Sequence, residues 1–169
     1  MKVVFLGTNG WYDTATEMQF ACLWNQSVLV KSKNHLIILD AGNGIHKVDQ
    51  YDKGQKPVSL FLSHFRLDHI AGLHILGKFS LKRGFQIFGQ VGTITTLNNI
   101  MNGSFTVAFS RLPFKVEIKV LPEGTNNAPF LVKCKYLFHS SKCLGYRFQL
   151  DRQIIAYCPD TESAKMSLR

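Results

Sequence analysis

The chain has 169 residues, 46% of them apolar and 12% aromatic, with 20 Lys and Arg against 11 Asp and Glu and a net charge of +9. That is enough for one globular domain with its own core over residues 1–169. No apolar run reaches the roughly 18 residues of a membrane span, and the opening Met1-Lys2-Val3-Val4-Phe5-Leu6-Gly7 is too short in its apolar part for a secretory signal, so a cytoplasmic protein with no membrane partner is expected.

In chain order, Lys2 to Leu6 reads as a first strand, followed by a turn at Gly7-Thr8-Asn9-Gly10. No Lys-Ser or Lys-Thr follows that turn, so a tight strand turn is the better reading than a phosphate cradle. Met18 to Trp24 and Ser27 to Val30 pair across Asn25-Gln26. Leu36-Ile37-Ile38-Leu39 is a fully buried strand closed by Asp40-Ala41-Gly42-Asn43-Gly44, and Ile45 to Tyr51 is a short helix or turn. Val58 to Leu62 is a buried strand, after which Ile70, Leu73, Ile75, Leu76 and Phe79 have roughly helical spacing. Gln86 to Phe88 is a short strand, and Val91 to Met101 is a second helix weakened by Thr93, Thr95 and Thr96. Lys115 to Val120 alternates as a half-exposed strand, Phe130 to Phe138 is mostly extended, and Leu144 to Leu150 forms a hairpin with Gln153 to Tyr157 across Asp151-Arg152. Many strands and few helices predict packed sheets with helices outside.

The basic residues are spread, as at Lys78, Lys82, Arg83, Arg111, Lys115, Lys119, Lys133 and Lys135, with no dense tract. Such a surface admits nucleic acid or another phosphorylated substrate, and equally a solvated basic face with no specific partner. Cys22, Cys134, Cys143 and Cys158 have no C-x-x-C spacing, which argues against a zinc–thiolate knuckle and for reduced, mostly buried thiols.

The densest chemistry lies in Ser63-His64-Phe65-Arg66-Leu67-Asp68-His69. His64, Asp68 and His69 follow a buried strand, where side chains at the C-terminal end face a cleft. Zinc, manganese and iron accept such mixed nitrogen and oxygen ligands. Asp68 and His69 sit at a helix entrance, where a carboxylate suits the positive end of the dipole. Local spacing supplies only part of a metal shell. His139 and Asp160 each lie just past a later strand end and are the candidate distant partners. His35, His46 and His74 have no partner pattern and read as surface or helix-face residues.

The Ser63–His69 segment resembles the metallo-β-lactamase signature H-x-H-x-D-H, with Arg66 in place of the second His. Phe5-Leu6-Gly7-Thr8, Leu36 to Gly42, the Ser63–His69 loop with Ile70-Ala71-Gly72-Leu73, His139 upstream of Leu144-Gly145-Tyr146-Arg147, and Asp160-Thr161 follow the order of the ribonuclease Z and phosphodiesterase branch. The resemblance implies an α/β fold, the metallo-β-lactamase-like αββα sandwich, represented by its N-terminal half and the start of its second half. It implies that His64 and His139 serve a first metal, Asp68 and His69 a second, and that Asp160 bridges them. Asp68 is also the catalytic candidate for orienting the attacking water, and Asp40 takes a structural or supporting position and is not a ligand. Arg66 is either a phosphate contact or a lost ligand, and turned inward it would pair with Asp68 or Asp160. The family continues well past this motif and adds a late His, whereas the chain stops at Arg169, so the domain is expected to be incomplete at its C-terminus. With one nitrogen ligand lost at each site, at most one tightly bound ion, zinc or else manganese or iron, is expected. The implied activity is metal-dependent hydrolysis of a phosphodiester in RNA or a nucleotide. The alternatives are a small cyclic phosphodiester or thioester as substrate, and a non-catalytic relative that binds RNA or a protein. An uncovered sheet edge predicts a homo-oligomer, its interface on Leu144 to Tyr157 and the tail from Thr161.

Overall fold

The computed structural model describes residues 1–7, 26–51 and 54–162. The expected strand Met18 to Trp24, the turn at Thr8-Asn9-Gly10 and most of the tail after Thr161 lie outside the described residues.

Strands β1 (Lys2–Gly7), β2 (Ser27–Lys31), β3 (Leu36–Leu39), β4 (Val58–Phe61), β5 (Phe85–Gly89) and β6 (Val116–Val120) form a six-stranded sheet in that order. Its first three strands are antiparallel neighbours, and β3 to β6 run parallel. Strands β7 (Gly124–Asn127), β8 (Leu131–Leu137), β9 (Cys143–Leu150) and β10 (Gln153–Tyr157) form a four-stranded antiparallel sheet ordered β10-β9-β8-β7.

The two-residue period of a strand divides the core. Leu36, Ile38, Leu60 and Ile87 face one way, onto Ile45, Ile70, Leu73, Leu76 and Leu97 of the helical segments. Ile37, Leu39, Phe61 and Phe88 face the other way, onto Val132, Leu144, Tyr146 and Phe148 of the second sheet. The described residues therefore build the helix, sheet and sheet layers of the expected sandwich. The outer face of the second sheet remains exposed, with Lys133, Lys135, Arg147 and Ile154 open to solvent. Ile155 packs partly against the inter-sheet core.

The segment after the ligand loop departs from the expected helix. Helix α1 covers only Leu67–Ile70, and Ala71–Lys78 is a 3₁₀ helix. The cause is local. The Gly72 N–H donates to the Ala41 carbonyl at 2.8 Å, so it is taken out of the α-helical ladder. A side chain at Gly72 would meet the carbonyls of Gly42 and Ala41 and the Ile45 side chain. The close approach also gives the Ala41 N–H a bond to the His69 carbonyl at 2.7 Å.

Helix α2 (Thr93–Ile100) forms despite its threonines, because burying Thr93 and Leu97 on the sheet outweighs propensity losses of about 0.7 kcal/mol per residue. Strand β7 was not legible in the sequence. Its Gly-Thr-Asn-Asn carries no apolar period and is strand only because it pairs with Leu131 to Cys134. The β9–β10 hairpin closes at Asp151 and Arg152, with φ of 49° and 60°, as a two-residue turn of the I′ type requires.

Gly72→Ala is expected to lower stability by about 3 kcal/mol, since the obstruction is mostly backbone. Thermal unfolding measures it. A wild-type midpoint would show that α1 can move away from the Ala41 loop without cost.

Candidate metal centre

The centre begins where β3 ends. Asp40 adopts φ 56°, a left-handed conformation that Asp tolerates better than most residues. Its N–H bonds the Phe61 carbonyl at 2.9 Å, and its own carbonyl accepts from Ser27 Oγ at 3.0 Å. This places a carboxylate with 0% exposure beneath the end of β4. A buried carboxylate is costly unless well bonded. Asp40 Oδ1 accepts from the Ser63 N–H, and Oδ2 accepts from Ser63 Oγ, His69 Nδ1 and Tyr157 Oη, each at 2.7 Å.

These bonds fix where the imidazole protons lie. An ionised carboxylate only accepts, so every partner of Asp40 must donate. His69 therefore carries its proton on Nδ1. The Ser63 hydroxyl points its hydrogen at Asp40 and accepts from His64 Nδ1 at 2.9 Å. On the third loop, Glu162 Oε1 accepts from His139 Nδ1 and from the Ser140 N–H, both at 3.0 Å. In all three neutral rings the lone pair is left on Nε2, the arrangement supporting partners impose on metal-binding histidines.

The three Nε2 atoms are buried and have no hydrogen-bond partner among the described residues. They converge on one oxygen. Asp160 Oδ2 lies 3.2 Å from His69 Nε2, 3.5 Å from His64 Nε2 and 3.9 Å from His139 Nε2. Asp68 Oδ2 lies 3.4 Å from His69 Nε2. Lone pairs facing a carboxylate repel unless a cation or a proton stands between them. Two ligands on tetrahedral zinc are separated by about 3.3 Å, close to the two shorter distances. His64, His69 and Asp160 form the tightest group, each offering one donor atom within 4.8 Å of the others.

Burial, and next the neighbouring His69, lower the His64 pKa. Burial also works to lower His69, but its hydrogen bond to Asp40 and the charges of Asp40, Asp68 and Asp160 outweigh that and raise it. Burial pushes the Cys134 and Cys143 thiols up to about 11, so neither is a ready thiolate ligand. Among the described residues Cys134 and Cys143 are buried and Cys158 is exposed.

The structure thus brings together His64, Asp68, His69, His139 and Asp160, with Asp40 beneath them as an anchor that does not itself join the donor group. It groups His64 with His69, where the resemblance divided them between two metals. Arg66 does not turn inward to Asp68 or Asp160. It is exposed, and its Nη2 donates to Ser140 Oγ at 2.8 Å. His35 stacks edge-on against Phe130, while His46 and His74 bond carbonyls three residues back, at Asn43 and Ala71. Sequence reasoning did not assign Ser63, Tyr157 or Glu162. Glu162 had one usable signal, a carboxylate two residues beyond Asp160.

No protein-family model matches the chain. The chain is 28% identical over 163 residues to ribonuclease Z of Streptococcus uberis, a match covering 87% of this chain and 50% of the relative. Its fold is similar to that of the metallo-β-lactamase fold protein YhfI from Bacillus subtilis, with a TM-score of 0.68 and 18% identity over 92% of this chain and 60% of the other. It is similar also to the short form of human tRNase Z, with a TM-score of 0.65 and 23% identity over 92% of this chain and 68% of the other. The chain is therefore similar in sequence to ribonuclease Z and has the metallo-β-lactamase fold. It spans about half the length of the curated ribonuclease Z relative it matches. Within the metallo-β-lactamase signature, Arg66 is the one substituted position, and its side chain lies at the rim of the centre.

Two outcomes follow. Asp40→Asn puts an amide among groups that all donate, and is expected to cost about 3 kcal/mol and to lower zinc retention, measured by denaturant unfolding and elemental analysis. Because His69 holds its proton above the ordinary histidine range, zinc affinity should fall with pH from a higher value than an unperturbed imidazole would set. Zinc titrations between pH 6 and 8.5 would show the same profile in wild type and His69→Ala if His69 were not a ligand.

Proposed function

We propose that this chain is a metal-dependent hydrolase of the metallo-β-lactamase fold, acting on a phosphodiester in RNA or a nucleotide. The observation carrying this reading is the convergence of three Nε2 lone pairs on the Asp160 carboxylate, with each Nδ1 held from behind. That donor set suits zinc, and also manganese or iron. His64, His69 and Asp160 would hold one ion, with His139 and Asp68 beside it. Bound there, such an ion would supply the Lewis acidity that activates a water and polarises a phosphoryl oxygen.

The chain's own groups have separable tasks. Asp40 fixes the His69 ring through Nδ1 and fixes His64 through Ser63. Glu162 does the same for His139. Asp68 is the candidate to accept a proton from attacking water, since its Oδ2 faces the cluster and its side chain keeps 13% exposure. The ribonuclease Z relatives favour a phosphodiester, and the net charge of +9 suits a polyanion.

A second reading has its own support. Lys133, Lys135 and Arg147 share the exposed face of β8 and β9, with Lys133 directly opposite Arg147. A non-catalytic RNA-binding relative would use such a face. Metal content separates the two.

Elemental analysis after dialysis is expected to find about one zinc per chain, and hydrolysis of an activated phosphodiester should be lost on chelation. Asp160→Asn and His64→Ala should each lower zinc content and rate at least tenfold, with Asp68→Asn lowering rate more than zinc content. Retention of no metal, with no chelator-sensitive hydrolysis, would favour the binding reading. Two tightly held equivalents would contradict the single-ion expectation.

A further inference from the structure

Arg66 links two loops of the centre. It precedes α1 in extended conformation (φ −66°, ψ 147°), between His64 and Asp68 in sequence. Its guanidinium reaches from the first ligand loop to the His139 loop, where Nη2 meets Ser140 Oγ at 2.8 Å. Asp68, Asp160 and Glu162 all lie around the same centre, yet Arg66 makes no ion pair with any of them among the described residues.

A guanidinium bonded, among the described residues, only to a neutral hydroxyl keeps most of its N–H donors available. Ser140 is similarly poised. Its Oγ accepts from Arg66 and its backbone N–H is taken by Glu162, which leaves the hydroxyl hydrogen free to donate. An arginine fork beside a serine hydroxyl matches the non-bridging oxygens of a phosphate, which accept several donors and favour planar, bidentate contacts. Arg66 also supplies a fixed positive charge at the signature position that otherwise carries a neutral ligand.

We propose that Arg66 and Ser140 form a phosphate-binding subsite at the mouth of the histidine cluster, holding the anionic phosphate of the substrate against the centre. The proposal rests on the hydrolase reading for the identity of the substrate, but not for the binding event itself. Arg66 positions the phosphate and moves no proton. Ser140 orients the Arg66 fork and adds a donor.

The test is calorimetric titration of the full chain with inorganic phosphate, on zinc-loaded and chelator-treated protein, with zinc content measured in parallel. Arg66→Ala should weaken phosphate binding at least tenfold, about 1.4 kcal/mol, in both preparations, with zinc content unchanged. Arg66→Lys should recover only part of the affinity, because an ammonium lacks the planar fork. Ser140→Ala should lose a few-fold. The exposure of Arg66 makes loss of folding unexpected, and Arg66→Lys preserves the comparison if the alanine variant is unstable. Equal phosphate affinity in wild type and Arg66→Ala, or no phosphate binding by the wild type, overturns the proposal. A chain that retains no zinc but still loses phosphate affinity in Arg66→Ala overturns the hydrolase reading and leaves the subsite standing.

Discussion

The buried carboxylate of Asp40 is the constraint on which the centre depends. It joins the end of β3 to Ser63 after β4, to His69 in α1 and to Tyr157 at the end of β10. Those groups come from both sheets and from the helix layer, so one ionised side chain ties three layers at one edge. Charge-assisted bonds of this kind are among the stronger polar interactions in a protein interior, and removing one partner leaves the others buried and unsatisfied. The burial of Asp40 is therefore tolerable only when the loops carrying His64, His69 and Asp160 are in place. Folding and assembly of the centre are the same event.

The outer half of the centre follows a second rule. Each imidazole is held at Nδ1 by an acceptor, and the acceptors differ: a serine hydroxyl, a buried aspartate and an exposed glutamate. The gradient is electrostatic as well as geometric. Burial and the neighbouring His69 hold the His64 proton less firmly than usual, whereas at His69 burial is outweighed by the hydrogen bond to Asp40 and the charges of Asp40, Asp68 and Asp160, which hold the proton more firmly.

Much of this was legible in the sequence, for identifiable reasons. The runs at Leu36–Leu39 and Val58–Phe61 are apolar on both faces, and the structure uses both faces, one against helices and one against the second sheet. His64, Asp68 and His69 are close in the chain, so their spacing alone marked them. The supporting groups escaped notice because their partners are remote. Tyr157 and Asp40 are separated by 117 positions, and a tyrosine ending a strand is ordinarily core. The 3₁₀ character after α1 was hidden for a similar reason, since it depends on where the Gly72 N–H finds its acceptor, in a loop from another part of the chain. Arg66 shows the opposite case. Its identity stood out at once, but its direction, away from the carboxylates and toward Ser140, required the fold.

The account's central claim is that three histidine Nε2 atoms and the Asp160 carboxylate are arranged for a cation. X-ray absorption at the zinc edge of the zinc-loaded chain tests it most directly. The predicted spectrum has a nitrogen and oxygen shell at about 2.0–2.1 Å with outer-shell imidazole scattering, and that scattering should diminish in His64→Ala and in His69→Ala. A sulfur shell at about 2.3 Å, or an oxygen-only shell with no imidazole contribution, would contradict it.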